Sequence, residues 1–284
     1  MSKPQVWTWE PNSNSGKPLF ALKQKGIDFD YHYINMTEFE HHSPDYLARN
    51  PAGTLPTMEH DGKIFTESTP MCEYIDRTWP DRGPQMVPDD PMARYRMRYW
   101  GRQITAYAGA LSVIGWHTFI GPMARSKSPE EIERILARIP TKERRIAWQT
   151  AVRSTFTDEQ LDNARAAVGR GVMVMEERLS ETAFLAGPTY TIADLESFAN
   201  FYSLPMTVPN YANRDTAPRY IDWLIRIYNM PGTMETFALS RGLARRAFTI
   251  KEDLEAGRQP EQISLAEVQR NAAAAPVNGL GGNG

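Results

Sequence analysis

The sequence predicts a small α/β domain followed by an all-helical domain. Short β-prone runs and helical stretches alternate up to about residue 80, whereas no convincing β pattern follows residue 91. A stretch rich in Pro, Asp and Gly separates the two parts, and 284 residues suffice for two such domains. We therefore place the α/β domain at residues 1–82, a linker at 83–91, the helical domain at 92–250 and a polar tail, expected to be disordered, at 251–284.

The α/β domain begins with a strand, a helix and a second strand. Residues 6–9 are β-prone, and residues 16–25 read as a helix that ends at Gly26, a residue suited to the position after a helix. In residues 28–34 aromatic and polar side chains alternate, which predicts a half-buried strand. This order fits two parallel strands joined by a crossover helix.

A hairpin and a further helix follow. The Asp61-Gly62 pair predicts a tight turn between strands at residues 57–60 and 63–66, and the hydroxyl residues before Pro70 predict the start of a helix. The free amides at a helix N-terminus suit a carboxylate, while the neighbouring Glu67 suits an ammonium group. Glu67 and Ser68 could therefore hold the two charged groups of an α-amino acid, or they could only cap the helix.

Apolar residues recur at helical spacing in the second domain. The predicted helices span residues 92–119, 158–180, 191–204, 217–229 and 232–244. Asp194 follows Thr191 by three positions, the spacing of a reciprocal helix cap, so we assign this aspartate a structural role.

Composition excludes several classes of function. A net charge of -2 without a basic run gives no electrostatic footprint for nucleic acid. No apolar run is long enough for a membrane span, and a single cysteine agrees with a reducing cytoplasm, where we expect the protein to be located. That cysteine, Cys72, has apolar neighbours and is expected in the core. We expect no metal site, because the adjacent histidines diverge in direction and no other metal-ligand spacing is present.

Two of these motifs carry a resemblance. Leu55-Pro56 before the hairpin and Glu67-Ser68 at the next helix resemble the glutathione site of glutathione S-transferases. The resemblance implies a thioredoxin-like N-terminal domain plus an all-α C-terminal bundle. It also implies that Pro56 is cis, that the backbone of Leu55 pairs with the glutathione cysteine, and that Glu67 and Ser68 hold the γ-glutamyl end. Thr54 and Pro56 belong to the same glutathione-binding set.

Members of that family activate the glutathione thiol where the first helix begins. This chain has no tyrosine in its first thirty residues, but it carries the polar segment Asn12-Ser13-Asn14-Ser15 there. The resemblance implies that Asn14 and Ser15 hold the thiol, with Ser13 as a helper, while Asn12 departs from the serine or cysteine of other classes and contributes to binding. It also implies that His41, with His42 as an alternative, binds the glycyl carboxylate; a solvated loop is the other interpretation of these histidines.

A narrower resemblance points to a reaction. The runs at residues 14–19, 60–63 and 66–69, and the long insertion at about 122–157, resemble bacterial glutathione-dependent β-etherases, which cleave β-aryl ethers of lignin-derived aromatics. The implied enzyme uses glutathione as co-substrate, and its thiolate displaces a phenolate from the β-carbon of an α-keto β-aryl ether. A homodimer is implied by family habit. Residues that could line an aromatic cleft for this substrate are Tyr107, Ile114, Trp116, His117, Phe119, Trp148 and Tyr202.

Other functions remain open at this point. A broad-specificity glutathione S-transferase, or a glutathione-dependent dehalogenase or isomerase, would use the same thiol site. A non-catalytic glutathione-binding protein would retain the binding residues without turnover.

Overall fold

The structure is a computed structural model that describes residues 1–124, 127–153, 155–262 and 270. Within these residues, no helix has both the length and the apolar character that a membrane span requires. The predicted tail at 251–284 lies largely outside the described residues.

The N-terminal domain is a four-stranded mixed sheet covered by helices. Its sheet has the order β2-β1-β3-β4, in which β1 is parallel to β2 and antiparallel to β3, and β3 is antiparallel to β4. The elements are β1 (Gln5–Thr8), α1 (Ser13–Gln24), β2 (Asp30–Tyr33), α2 (Pro44–Arg49), β3 (Thr57–His60), β4 (Lys63–Phe65) and α3 (Ser68–Thr78). Two short 3₁₀ turns, Met36–Glu38 and Glu40–His42, precede α2. The predicted thioredoxin-like arrangement is confirmed.

The predicted hairpin turn is confirmed in its backbone detail. Asp61 and Gly62 have φ values of 48° and 71°, the positive pair that a two-residue hairpin turn requires. The Leu55–Pro56 peptide bond is cis, as the family resemblance implies. The β3–β4 hairpin and the bend that precedes it are therefore placed as the sequence predicts.

The first helix differs from its predicted bounds. It starts at Ser13, because the N–H of Gly16 already donates to the carbonyl of Asn12 at 2.9 Å. The polar segment, residues 12–15, therefore forms the N-cap and the first turn of α1. At its other end α1 stops before Gly26, which has a φ of 63°, as predicted.

The C-terminal domain is entirely helical in its described part, apart from an isolated bridge between Phe184 and Gly187. Its helices are α4 (Pro91–Thr105), α5 (Ala108–Gly115), α6 (Gly121–Ala124), α7 (Pro129–Ala137), α8 (Lys142–Arg153), α9 (Asp158–Leu179), α10 (Ile192–Phe201), α11 (Leu204–Thr207), α12 (Pro218–Tyr228), α13 (Thr233–Phe237) and α14 (Arg246–Glu255). A 3₁₀ turn, Leu243–Arg245, precedes α14.

Two predicted helices differ from the observed ones, and an observed helix was not predicted. The predicted helix at 92–119 is divided into α4, α5 and a π-helical turn, Trp116–Ile120, because the chain turns at Tyr107, whose ring lies against Gly171 of α9. The predicted helix at 232–244 ends at Phe237. Helix α14 was not predicted, and it extends to Glu255, past the predicted domain boundary at residue 250.

The two domains share one continuous core. Helix α1 packs between α3 of its own domain and α10 of the helical domain. The rings of Phe20 and Phe198 meet edge to face across this contact, with centroids 5.7 Å apart. Asp194 has the predicted structural role: it accepts hydrogen bonds from the backbone of Thr191 (3.0 Å) and Leu185 (2.8 Å) and from the indole of Trp223 (3.0 Å).

Candidate functional site

A cavity of about 790 Å³ lies between the two domains. Three parts of the chain form most of its walls: the polar segment, the π-helical turn with the end of α5, and the region from the end of α10 to α14. Trp9, Met36 and Arg165 also line it. The residues used below line it as follows: Asn12, Ser13, Asn14, Ser15, Ile114, Trp116, His117, Phe119, Arg165, Asn200, Tyr202, Ser203, Leu243 and Arg246.

The polar segment presents an open helix N-terminus to this cavity. Asn12 has the extended backbone of an N-cap, but its side chain makes no capping hydrogen bond, and the first turn carries no acidic residue. Ser13 and Asn14 are exposed, and Ser15 is buried. The first N–H groups of a helix have no partner within the helix, so this end of α1 offers donors and a partial positive charge to an anion such as a thiolate.

Helix α10 holds the polar segment in place. The hydroxyl of Ser13 donates to Oδ1 of Asn200 at 3.0 Å, and the Asn200 amide donates to the backbone carbonyl of Glu196 at 2.8 Å. Ser13 has a φ of 47°, in the left-handed region that non-glycine residues rarely adopt. The hydrogen bond to Asn200 therefore fixes the segment where its own backbone is strained.

A buried ion pair joins α10 to α1, and a hydrogen bond to the same carboxylate adds the start of α3. Nζ of Lys17 lies 3.2 Å from Glu196, and less than a tenth of either side chain is exposed. The hydroxyl of Thr69, in the first turn of α3, also donates to Glu196. Burial raises the pKa of Glu196, and Lys17 opposes that rise. The charge of Lys17 is thus neutralised within the protein. The positive charge available at the polar segment therefore comes from the N-terminus of α1.

Five of the predicted glutathione-binding residues lie in the bend before β3 and at the start of α3. The bend at Thr54 is fixed by the hydroxyl of Tyr46 (2.6 Å) and the amide of Asn50 (2.9 Å), both of which donate to its carbonyl. Leu55 packs in a small apolar cluster with Met36 and Phe119, which line the cavity. Glu67 is exposed and Ser68 is buried at the start of α3.

Of these residues, Thr54, Leu55, Pro56, Glu67 and Ser68 do not line the cavity itself. The structure therefore brings together the polar segment and the aromatic residues of the cavity wall. Glu67 and Ser68, which are predicted to bind the amino-acid end of glutathione, are connected to them through the contacts of α3 with α1 and α10.

His41 and His42 do not lie in a solvated loop, so that interpretation is wrong. Both are buried, and no ring nitrogen of either has a hydrogen-bond partner among the described residues. Burial lowers the pKa of His42 to about 4, assisted by repulsion from Arg144. Burial, His42 and Arg144 lower the pKa of His41 well below its usual range. Both rings are therefore neutral at physiological pH.

The insertion covers these histidines. Its helix α8 supplies Trp148, whose ring centroid lies 5.3 Å from that of His41, and Arg144, which donates to the carbonyls of Ala52 (2.7 Å) and Gly53 (2.8 Å). Gly53 has a φ of 60°, and a Cβ at this position would lie 3.0 Å from the ring of His42. The insertion thus binds the loop that leads to the cis proline.

Five of the seven residues predicted to contact an aromatic substrate line the cavity: Ile114, Trp116, His117, Phe119 and Tyr202. Tyr107 and Trp148 do not. The Tyr107 ring lies against Gly171 and Phe201 belongs to the same contact, while Trp148 is buried in the cluster of the insertion. Aromatic residues at helical spacing can either line a cavity or pack in the core, and the sequence pattern does not distinguish these two roles.

Several residues that line the cavity were missed by sequence reasoning, among them Asn200, Arg165 and Arg246. Arg246 lies in a helix that was not predicted, and Asn200 carries no motif of its own. An amphipathic interpretation of residues 246–255 could have found α14, but not the direction in which Arg246 points.

Neither a metal centre nor a cysteine nucleophile is found in the described part of the chain. No group of three or more His, Cys, Asp or Glu side chains there could hold a metal ion. Cys72 is completely buried, and burial raises the pKa of its thiol well above the usual range. A nucleophilic thiol at this cavity must therefore come from a bound molecule.

Comparisons with known proteins agree with this architecture. Residues 13–78 match the family described as glutathione S-transferase, N-terminal domain, and residues 141–231 match glutathione S-transferase, C-terminal domain. The chain is 35% identical over 242 residues to Protein LigF of Sphingobium sp. (strain NBRC 103272 / SYK-6), covering 84% of this chain and 94% of that protein. It is 26% identical over 216 residues to glutathione S-transferase APIC of Nicotiana tabacum, covering 74% and 86%.

Solved structures give the same result. The crystal structure of β-etherase LigF from Sphingobium sp. strain SYK-6 superposes with a TM-score of 0.79 at 34% identity, covering 84% of this chain and all of that one. Glutathione transferase F7 from Populus trichocarpa superposes with a TM-score of 0.64 at 21% identity, covering 82% and 97%, which shows the shared fold.

The buried histidines predict a pH dependence of stability. The unfolded chain protonates histidine near pH 6.5, whereas folded His42 does so only near pH 4, so the unfolded state binds more protons between these values. Stability is complete above about pH 6.5 and falls as the pH decreases toward 4. His42→Gln, which cannot be protonated, should reduce this loss in urea unfolding curves measured at about pH 7.5 and about pH 5. His117→Gln, on the cavity wall, is the control; if both variants lost as much stability as the parent, the burial argument would fail.

Proposed function

This chain belongs to the glutathione S-transferase family, and we propose that it acts as a glutathione-dependent β-etherase on lignin-derived aromatic ethers. Glutathione is its co-substrate. The reaction joins the glutathione sulfur to the β-carbon of an α-keto β-aryl ether and releases a phenolate. The similarity to LigF over most of both chains supports this choice within the family.

The observation that carries the proposal is the composition of one cavity. The polar segment, residues 12–15, forms one of its walls; we call it the thiol segment, because we propose that it holds the glutathione thiol. Trp116, Phe119 and Tyr202 supply aromatic surface on the other walls. Its volume of about 790 Å³ is within the range of pockets that enclose molecules of drug size. A two-ring ether can therefore lie against aromatic side chains with its β-carbon near a thiolate.

In the proposed pose, glutathione extends from the start of α3, past the bend before β3, to the start of α1. Its γ-glutamyl end binds at Glu67 and Ser68, and its cysteine backbone pairs with the segment from Thr54 to Pro56. The exposed Glu67 carboxylate suits the ammonium group, and the first amides of α3 suit the α-carboxylate. The sulfur reaches Asn14 and Ser15 at the start of α1. The glycyl carboxylate lies toward the loop that carries His41 and His42, whose buried rings support the loop beneath the insertion.

The main requirement of the reaction is that the protein aligns the thiolate with the β-carbon of the ether. A ketone next to the β-carbon makes that carbon electrophilic, and an aryloxide is an acceptable leaving group at neutral pH. The thiolate supplies the electron pair of the new C–S bond, and the electrons of the broken C–O bond leave with the phenolate oxygen. Helix α1 stabilises the thiolate before attack, and the apolar walls exclude water that would solvate it.

Cleavage of a model ether tests the function directly. We expect the protein with glutathione to release guaiacol from an α-keto β-guaiacyl ether, measured by chromatography, faster than it conjugates a chloronitrobenzene. Separated enantiomers of the ether should be assayed individually. Conjugation of the chloronitrobenzene without ether cleavage would instead identify a broad-specificity transferase. Glutathione binding with neither activity would identify a non-catalytic binding protein.

Substitutions in the thiol segment test the assignment of its residues. Asn14→Ala and Ser15→Ala should each lower kcat by about tenfold to a hundredfold, because each removes a donor that stabilises the thiolate and so reduces the fraction of bound glutathione that is ionised. The dissociation constant for glutathione, measured by calorimetry, should change little, since the γ-glutamyl end is bound elsewhere. Asn163→Ala, an exposed position on α9, is the matched control. Unchanged turnover in the double variant would show that other groups hold the thiol.

We also propose that the enzyme is a cytoplasmic homodimer. Met92, Tyr95 and Tyr99 lie exposed along α4, with 46 to 62% of their surface accessible, and such an apolar strip suits a second copy of the chain. Sedimentation analysis should give the mass of a dimer, and Tyr95→Glu with Tyr99→Glu should reduce it to that of a monomer. Ile146→Glu, an equally exposed apolar position on α8, should leave the mass unchanged. A monomeric parent protein would contradict this assembly.

A further inference from the structure

Arg246, the first residue of α14, lies in the wall of the cavity. One of its terminal nitrogens donates to the hydroxyl of Ser203 at 2.9 Å. The centre of its guanidinium group is 5.7 Å from the ring centroid of Phe119 and 5.8 Å from that of Tyr202. A hydroxyl and two aromatic faces therefore orient this cation.

No carboxylate among the described residues balances the charge of Arg246. None of them forms an ion pair with it, and its Nε atom is buried without a hydrogen-bond partner among the described residues. Arg165, the other arginine in the wall, is paired with Asp162 at 2.9 Å, and Lys17 is paired with Glu196. A partly buried cation without a counter-ion is costly, and a ligand that brings negative charge removes that cost.

A second unsatisfied group accompanies it. The hydroxyl of Tyr202 is buried and has no hydrogen-bond partner within the described part of the chain, although Tyr202 lines the cavity. Burial raises the pKa of this phenol, and the neighbouring Arg246 only partly opposes the rise. Tyr202 therefore keeps its proton at neutral pH and can donate it in a hydrogen bond.

The end of α10 and the turn that follows it connect this cation to the thiol segment. Asn200 accepts from Ser13 of the thiol segment, and Ser203, three positions later, accepts from Arg246. In a displacement reaction the entering sulfur and the departing oxygen lie on opposite sides of the carbon. The cation that receives the oxygen and the segment that holds the thiol must therefore both border the cavity, as Arg246 and Asn14 do.

We propose that Arg246, assisted by the hydroxyl of Tyr202, binds the departing phenolate oxygen of the aryl ether. This inference rests on the proposed β-etherase function and names the group that receives its leaving oxygen. As the C–S bond forms and the C–O bond breaks, the electron pair of the broken bond passes to the phenolate oxygen. Arg246 balances that charge, and the phenolate takes a proton from solvent after release.

Two ethers with different leaving groups test this role. They share one α-keto skeleton and release either guaiacol or the more acidic 4-nitrophenol, which needs less stabilisation as an anion. Arg246→Gln should slow release of guaiacol by about a hundredfold, the effect of losing one oxyanion donor, and slow release of 4-nitrophenol much less. Tyr202→Phe should show the same selectivity with a smaller loss. Arg246→Lys should recover part of the guaiacol rate.

The control for charge is Arg165→Gln, which removes a cation from the same cavity but one that is already paired. It should leave the ratio of the two rates unchanged. Thermal unfolding of each variant shows whether the fold is intact. Equal slowing of both ethers by Arg246→Gln in a folded variant would overturn the proposal, because a purely structural role affects both reactions alike.

Binding of 4-nitrophenolate, followed by its absorbance, separates this inference from the proposed function. With glutathione present, the anion should bind the parent protein more tightly than Arg246→Gln, and Arg165→Gln should match the parent. If the parent cleaved neither ether, the β-etherase function would fail, and preserved Arg246-dependent binding would still identify the anion subsite. Equal binding to the parent and to Arg246→Gln would reject the subsite itself.

Discussion

The buried contact between α1 and α10 is the constraint on which the site depends. Lys17 and Glu196 meet at 3.2 Å across it, with little of either side chain exposed. Removing either partner would leave a buried charge uncompensated, which is far more costly than the pair is favourable. The ion pair therefore contributes less to stability than to orientation: it permits only one placement of the thiol segment relative to the helical domain. Gly101 leaves room for it, since a Cβ there would lie 2.6 Å from Glu196.

Helix α10 then determines the order of groups along the cavity. Glu196, Asn200 and Ser203 follow one another at intervals of three or four residues, and each contacts a different part of the site. Glu196 fixes α1 and the first turn of α3, Asn200 fixes the thiol segment, and Ser203 fixes Arg246. Glu196 and Asn200 lie on α10, and Ser203 lies in the turn directly after it, so one short stretch of chain contacts both the thiol segment and the cation.

The sequence was sufficient where structure is local. Asp61-Gly62 determines its own turn, and Gly26 ends α1, because each outcome depends on a few neighbouring backbone angles. The family resemblance supplied the thiol segment. The sequence was insufficient where a distant contact decides: Tyr107 interrupts the predicted helix by packing on Gly171, and the insertion buries His41. Arg246 could not be assigned, because its role comes from the fold and not from a motif.

A second anchor explains how the far wall of the cavity keeps its register with the thiol segment. The carboxylate of Glu10 is buried and accepts the backbone N–H groups of Arg241 (3.1 Å) and Ala244 (3.0 Å), while its own carbonyl accepts the N–H of Asn12 at 2.7 Å. One residue thus connects the N-cap of α1 to the chain that carries Leu243 and Arg246. Since both ends of the proposed displacement are attached to Glu10 and to α10, selectivity among aryl ethers must come from the side chains between them. The π-helical turn, which supplies Trp116 and Phe119, is the part of the wall outside both anchors. Substitutions there can change substrate choice with the least disturbance of the rest of the fold.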